Sequence, residues 1–124
     1  MSTKRKVVAV IDDNLRILGA MSRLLSAFGY DTELYVSAKE FLDAAMTTEA
    51  ICLIVDIQLG ESCGVEFAQH LASSGFTMPI IFMTADDNES VKRRVMEIGC
   101  VALLPKPFSA DVLIEALLNI SPGH

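Results

Sequence analysis

The sequence predicts an α/β domain in which helices cover both faces of a doubly wound, five-stranded parallel sheet. Short apolar runs rich in β-branched residues stand at 7–11, 51–55 and 80–83, as is typical of strands buried on both faces of a parallel sheet. Segments with apolar residues at helical spacing separate these runs. The connections are short, which favours right-handed β-α units wound into a single domain.

Two further strands have a weaker signal. In residues 31–37, Thr32, Leu34 and Val36 alternate with residues of the opposite face. This alternation predicts a half-exposed strand at the edge of the sheet. Residues 101–104 form the fifth strand, and the sequence leaves its position in the sheet open.

Local signals mark the ends of the helices. The first helix is expected to end just before Gly29, and the third to run over residues 64–74. Ser37 and Glu40 have the spacing of a capping box and open the second helix. Ser109 opens the fifth helix, whose inward face is expected to hold four apolar residues: Leu113, Ile114, Leu117 and Leu118.

Length and composition bound the class of protein. The 124 residues suit one domain, with a core over about 5–120 and a tail or the start of a linker at 121–124. The net charge of -6 argues against a nucleic-acid-binding surface. No apolar run approaches the length of a membrane span or of a signal peptide. Three cysteines without a CxxC pair fit a reducing, cytoplasmic location.

Polar residues follow four of the five predicted strands. Asp12 and Asp13 follow the first strand, Asp56 the third, Thr84 the fourth and Lys106 the fifth. Ligands of open parallel sheets bind beyond the carboxyl ends of the strands, so we expect these five side chains to face one crevice. Adjacent carboxylates repel each other by roughly 4 kcal/mol at 4 Å near a protein surface, and a bound cation would offset that repulsion.

The charges of these residues predict a magnesium site. Three carboxylates and one ammonium leave an excess of negative charge that one Mg²⁺ would neutralise, and hard divalent cations prefer oxygen ligands. Asp12 and Asp13 are then ligands, one directly and one through water, and Mn²⁺ could substitute. Lys106 and Thr84 suit contacts to phosphate oxygens. Asp56 is a further metal ligand, a nucleophile that forms an aspartyl phosphate, or both.

Four segments, in this order and at this spacing, resemble the receiver domain of two-component response regulators: VIDDN, IVDIQLGESCG, FMTAD and LPKPF. The resemblance covers about residues 5–120. Each segment alone is weak evidence, and the four together are highly specific. The resemblance implies a flavodoxin-like sheet with strand order 2-1-3-4-5.

The resemblance also implies how the site works. Asp56 would be the phosphoacceptor, which takes a phosphoryl group from a sensor histidine kinase or a His-containing phosphotransfer protein in a Mg²⁺-dependent step. Asp12 and Asp13 would hold the metal together with Asp56 and the backbone carbonyl of Gln58. Such a domain is a signalling switch and not an enzyme, so only its own phosphotransfer and slow autodephosphorylation are expected.

The response to phosphorylation is implied in the same way. Thr84 would turn toward the phosphoryl group, and Lys106 would contact it, with a cis bond to Pro107. Phosphorylation would then bias a surface formed by the fourth helix, the fifth strand and the fifth helix, through which a homodimer could form. The LPKPF segment looks most like receivers that precede a helix-turn-helix domain, so transcription regulation is an expected output without nucleic-acid contact by this domain itself.

The chain departs from the family pattern at three places. Leu103 stands where the family usually has a Tyr or Phe that turns inward on activation, so the aromatic part of the switch is missing. Gly60 stands where the family often has a proline. Gln58 and Asp86 occupy positions that set the lifetime of the phosphoryl group in this family.

Three other interpretations remain open from the residues alone. Asp13 and Asn14 could cap the first helix without binding metal. The chain could be a degenerate receiver that serves as a phosphorylation-independent interaction domain. It could also be a Mg²⁺-dependent aspartyl phosphatase, although such enzymes have a second aspartate, the general acid, at the position that Gln58 occupies here. A flavin- or nucleotide-binding module is disfavoured because the acidic DDNLR segment would repel a phosphate.

Overall fold

The computed structural model describes residues 5–59, 62–85, 89–98, 102–106 and 108–120. Its main sheet has five parallel strands, labelled β1 to β5 in chain order: Val7–Ile11, Asp31–Tyr35, Ala50–Asp56, Ile80–Thr84 and Ala102–Pro105. Helices α1 to α5 of the described residues span Leu15–Ala27, Ala38–Ala44, Gly64–Ser73, Glu89–Ile98 and Ala110–Leu118. The strand order β2-β1-β3-β4-β5 confirms the predicted doubly wound sheet. The predicted tail at 121–124 lies outside the described residues.

Two apolar layers enclose the sheet. Val8 and Val10 of β1 pack in the layer that contains α1 and α5, while Ala9 and Ile11 pack in the layer that contains α2, α3 and α4. This division follows from the strand geometry, because successive side chains of a strand point to opposite faces. The inner strands β1, β3 and β4 are therefore buried almost throughout, as their apolar sequences predicted.

The edge position predicted for β2 is confirmed, since this strand pairs only with β1 in the sheet order. The apolar face of β2 is nevertheless open, with Leu34 41% exposed. The opposite face is more closely packed, because the Tyr35 ring lies edge-on to Phe41 of α2 at a centroid distance of 5.4 Å. An edge strand is covered by fewer helices than an inner one, so its alternation does not tell which face packs better.

The predicted ends of the helices agree with the structure where it describes them. Gly29 follows the end of α1 with a φ of +93°, a conformation that glycine adopts without strain. The Ser37 hydroxyl accepts the Glu40 N–H at 3.1 Å and so caps α2. The Glu40 carboxylate accepts the N–H of Val36 at 3.0 Å, one residue before the cap, which completes a variant of the capping box. Ser109 caps α5 in the same way.

The prediction that Leu118 faces the core is wrong, because its side chain is 69% exposed. Leu113 and Leu117 are buried as predicted, and Ile114 is half-buried. Leu118 follows Leu117 directly and therefore lies about 100° further around the helix, beyond the buried stripe. Val101, the first residue of the predicted fifth strand, lies outside the described residues. In the part of the chain that the structure describes, no helix has the length and apolar character to cross a membrane.

Candidate functional site

Asp12 stands at the carboxyl end of β1 and is completely buried. Its N–H donates to the Tyr35 carbonyl at 3.1 Å, which extends the pairing between β1 and β2 by one residue. Its Oδ1 accepts the Asn14 N–H at 2.9 Å. Asn14 caps α1, because its side chain accepts the N–H groups of Arg16 and Ile17. Asn14 therefore caps α1, and the carboxylate of the exposed Asp13 does not take part in this cap.

Asp56 is the last residue of β3 and is 7% exposed. Its Oδ1 accepts the N–H of Gln58 at 2.9 Å. Asp12, Asp13 and Asp56 each place a carboxylate oxygen within 4.8 Å of the other two. The two neighbouring strands β1 and β3 bring these carboxylates together, as expected from the carboxyl ends of parallel strands.

Lys106 lies across this acidic cluster. Its Nζ donates to Asp56 Oδ2 at 2.8 Å and lies 3.5 Å from Asp12 Oδ2. The backbone N–H of Lys106 donates to the Thr84 carbonyl at 2.7 Å, so the end of β4 holds Lys106 in place. Thr84 itself is buried beside it, with 2% exposure. The ammonium and the buried hydroxyl residue thus stand at adjacent strand ends, next to the carboxylates.

Gln58 begins a short antiparallel pair that the sequence analysis did not predict. Gln58–Leu59 pairs with Ser62–Cys63, in the register Gln58 to Cys63. Ile57 accepts the N–H of Gly64 at 2.6 Å, so hydrogen bonds flank the Gln58 position and its own carbonyl is not used by this pairing. A Gly-X dipeptide between the paired segments, Gly60-Glu61 in the sequence, is the hairpin signal that was missed.

Burial and neighbouring charges shift the pKa values of Asp12 and Lys106. Burial raises the pKa of Asp12, and the nearby Asp56 charge adds to this, against the opposing effects of the Asn14 N–H and the Lys106 ammonium. Burial alone would lower the pKa of Lys106, but the hydrogen bond and charge of Asp56, together with Asp12, leave it above 10.5. The metal-free protein therefore holds the buried Asp12 carboxylate at an electrostatic cost.

The cluster fits a divalent cation. Three carboxylates face one ammonium, so the group carries an excess of negative charge when ionised. Carboxylate and carbonyl oxygens are the ligands that Mg²⁺ and Mn²⁺ prefer. The acidic cluster of Asp12, Asp13 and Asp56 can therefore hold a metal ion.

Replacing Asp12 by Asn tests the electrostatic cost. The raised pKa means that Asp12 holds its proton more tightly in the folded protein than in the unfolded chain, where its pKa is 3.8. The protonated Asp12 therefore contributes to the free energy of unfolding. This contribution is complete below the pKa of Asp12 in the unfolded chain and is lost as the pH rises through its pKa in the folded protein. We expect metal-free Asp12→Asn to melt above the wild type at about pH 7, and the difference to shrink toward about pH 4. Calorimetry in EDTA measures it, and a difference that grows on acidification would contradict the assignment.

The structure thus brings Asp12, Asp13, Asp56 and Lys106 into one cluster, with the backbone of Gln58 at its side and Thr84 next to Lys106. Leu103 is half-buried in β5 and packs in the same layer as α4. Pro107, Asp86 and Gly60 lie outside the described residues, so the cis bond and the effects expected at these positions stay predictions.

Comparison with known proteins assigns the family. The family model described as "Response regulator receiver domain" matches residues 8–118. The chain is 30% identical over 125 residues to the response regulator protein TodT of Pseudomonas putida, covering 98% of this chain and 55% of the relative. It is 29% identical over 110 residues to the transcriptional regulatory protein TdiR of Thauera aromatica, covering 89% and 48%.

A solved structure agrees with these sequence matches. Full-length FixJ from B. japonicum superposes with a TM-score of 0.85 at 27% identity, covering 97% of this chain and 61% of that chain. The chain belongs to the response regulator receiver domain family. It spans about half the length of the curated relatives it matches.

Proposed function

We propose that this receiver domain accepts a phosphoryl group on Asp56 from a phosphohistidine, supplied by a sensor histidine kinase or a His-containing phosphotransfer protein, in a Mg²⁺-dependent step. The observation that carries the proposal is the cluster itself: three carboxylates with ligand atoms within 4.8 Å of one another, and the Lys106 ammonium 2.8 Å from Asp56. Phosphoryl transfer depends mainly on positioning and on charge stabilisation, and this cluster supplies both.

The chain's own residues have separate tasks in this reaction. A carboxylate oxygen of Asp56 forms a bond to phosphorus as the P–N bond breaks, and the imidazole of the donor leaves with the electron pair and takes up a proton from solvent. The Gln58 N–H orients the acceptor carboxylate through Oδ1. Lys106 stands where negative charge develops on the transferred group. Its partner at the adjacent strand end, Thr84, would respond to the product.

The metal would be held by the carboxylates of Asp12, Asp13 and Asp56 and the carbonyl of Gln58. A bound Mg²⁺ supplies charge neutralisation for the phosphoryl oxygens. The burial of Asp12 favours such a partner, because the single ammonium of Lys106 is shared between Asp12 and Asp56 and lies closer to Asp56.

Asp12→Asn should weaken Mg²⁺ binding. It removes one anionic ligand while keeping the shape of the side chain and an oxygen for the Asn14 N–H. We expect the dissociation constant for Mg²⁺ to rise by about tenfold or more, equivalent to about 1.4 kcal/mol. Isothermal titration at constant ionic strength measures it. Asp43→Asn is the matched control, because the exposed Asp43 pairs only with Lys39 in the hydrogen bonds described; equal affinities in the two variants would contradict the role of Asp12.

The test of the proposed function is the intact mass of the wild-type protein after incubation with a small phosphodonor. With Mg²⁺ or Mn²⁺ we expect a gain of one phosphoryl group, and in EDTA no gain. The absence of any gain in a folded protein would leave the degenerate interaction domain as the better account. A gain that does not need metal would argue against the acidic cluster as a metal site.

Four wider expectations belong to the same proposal. The domain acts as a switch and not as an enzyme with a turnover substrate. Its phosphorylation would regulate an output, with transcription as the candidate because TdiR is a transcriptional regulatory protein. Its dimer surface would lie on α4, β5 and α5, where Met96 and Val112 are exposed; sedimentation before and after phosphorylation tests this. A cytoplasmic location is part of the proposal.

A further inference from the structure

Gly64, the first residue of α3, lies unusually close to the end of β3. A Cβ atom at this position would stand 2.6 Å from the carbonyl oxygen of Asp56, 2.9 Å from Cα of Ile57 and 3.2 Å from Cγ1 of Val55. The two nearest atoms belong to the backbone and cannot move aside by rotating a side chain. Any residue other than glycine must therefore push α3 and the end of β3 apart.

The segment beside Gly64 carries the candidate site. Gly64 donates its N–H to the Ile57 carbonyl at 2.6 Å, while the Ile57 N–H donates to Met83 of β4 at 2.9 Å. The segment from Asp56 to Gln58 is thus tied to α3 on one side and to β4 on the other. The next N–H along the chain, that of Gln58, holds Oδ1 of Asp56.

We propose that Gly64 is a positioning residue for the acceptor site: its missing side chain lets α3 close onto Asp56 and Ile57, which fixes the Asp56 carboxylate and the Gln58 backbone in place. The inference rests on the proposed function for its consequence, because a misplaced carboxylate matters only if it binds metal and accepts the phosphoryl group. The hydrogen bonds involved exist without any metal. They can therefore be tested separately.

The expected effect on the site follows from the distances. Ordinary carbon contacts need roughly 3.5 Å, so a Cβ at residue 64 must displace the backbone of β3 by a substantial part of an ångström. A misplacement of about 1 Å can change the rate of a positioned reaction by about 10²-fold. We expect the same displacement to weaken the hydrogen bond from the Gln58 N–H to Asp56 Oδ1.

The experiment measures amide hydrogen exchange and Mg²⁺ binding in Gly64→Ala. In the metal-free protein we expect the protection of the Gln58 amide to fall by about tenfold or more, while the Asp12 amide, bonded to Tyr35 on the other side of β1, keeps its protection. We expect the dissociation constant for Mg²⁺ alone to rise by about tenfold or more. With a small phosphodonor, the rate constant of phosphorylation should fall by a larger factor than the KM for the phosphodonor changes.

Two controls separate positioning from loss of stability. In Gly19→Ala the new Cβ meets only the flexible end of Arg23, at 3.5 Å, so amide protection and Mg²⁺ affinity should match the wild type. Leu117→Ala destabilises the core layer that contains α1 and α5, on the face of the sheet opposite to the layer of α3, Val55 and Ile57. It should lower the melting temperature while leaving the protection of the Gln58 amide and the Mg²⁺ affinity unchanged.

The proposal is overturned if folded Gly64→Ala keeps both the Gln58 protection and the Mg²⁺ affinity of the wild type, or if Leu117→Ala reproduces its losses. Should Gly64→Ala fail to fold, the same change is made in the Gly19→Ala background, because alanine is more favourable than glycine inside a helix such as α1. A double variant that still does not fold makes Gly64 a requirement of the whole fold and also overturns the positioning role. A wild-type protein that binds no Mg²⁺ refutes the proposed function, while the Gln58 amide still decides the role of Gly64.

Discussion

Asp56→Asn is expected to abolish phosphoryl uptake, lowering the rate by about 10³-fold or more, because it removes the nucleophile. The substitution keeps the size of the side chain and an oxygen that can accept the Gln58 N–H, which now binds Oδ1 at 2.9 Å. Lys106 loses its partner at 2.8 Å and keeps Asp12 nearby. The fold should therefore persist while the chemistry is lost. Intact mass after incubation with a phosphodonor and Mg²⁺ measures the outcome.

A matched control makes this result specific. Asp43→Asn removes an exposed aspartate of α2 that pairs with Lys39 at 3.3 Å, and it should take up the phosphoryl group at the wild-type rate. Circular dichroism establishes that both variants are folded. Retention of a phosphoryl group by folded Asp56→Asn would show that another residue is the acceptor.

Phe41→Ala should destabilise the domain by about 3–5 kcal/mol, the usual range for a fully buried Phe. The Phe41 ring is completely buried and lies edge-to-face with three other rings: those of Tyr35, Phe67 and Phe76, at 5.4, 6.0 and 5.9 Å. Such ring pairs contribute about 0.5–1.5 kcal/mol beyond area burial. The rings join β2, α2, α3 and the segment before β4, so truncation leaves a cavity between all of them. Urea unfolding measures the loss.

The adjacent Leu42→Ala is the control for Phe41→Ala. Leu42 lies on the same helix but is 38% exposed, so we expect a change below about 1 kcal/mol. Both variants introduce an alanine into α2, one in place of a buried ring and the other in place of an exposed side chain. Equal losses in the two variants would show that the aromatic cluster does not support this side of the sheet.

The inner part of the fold could be predicted because its physical signals are local. The strands at Val7–Ile11, Ala50–Asp56 and Ile80–Thr84 are buried on both faces, so their apolar runs needed no knowledge of neighbouring elements. The packing of the edge strand β2 and of the end of α5 could not be predicted from such local signals. Which side of β2 packs depends on the Tyr35–Phe41 contact. The exposure of Leu118 depends on how far the buried stripe extends around α5.

The sequence predicts which residues of the candidate site stand at the strand ends, but it does not predict the contacts between their side chains. The sequence placed Asp12, Asp56 and Lys106 at one edge of the sheet. It could not give the 2.8 Å contact between Lys106 and Asp56, because 50 residues separate the two and the distance is set by the pairing of β3 with β4 and of β4 with β5. The close approach of Gly64 to Asp56 is equally a tertiary property.

Reductive trapping of the phosphorylated wild-type protein tests the central claim most directly. Borohydride converts an aspartyl phosphate to homoserine, which a peptide mass map then locates in the sequence. The expected result is a single modified residue, Asp56, found only after incubation with phosphodonor and Mg²⁺. Trapping at another residue, such as Asp12 or Asp13, or no trapping in a protein that has gained phosphoryl mass, would contradict the assignment of Asp56 as the phosphoacceptor.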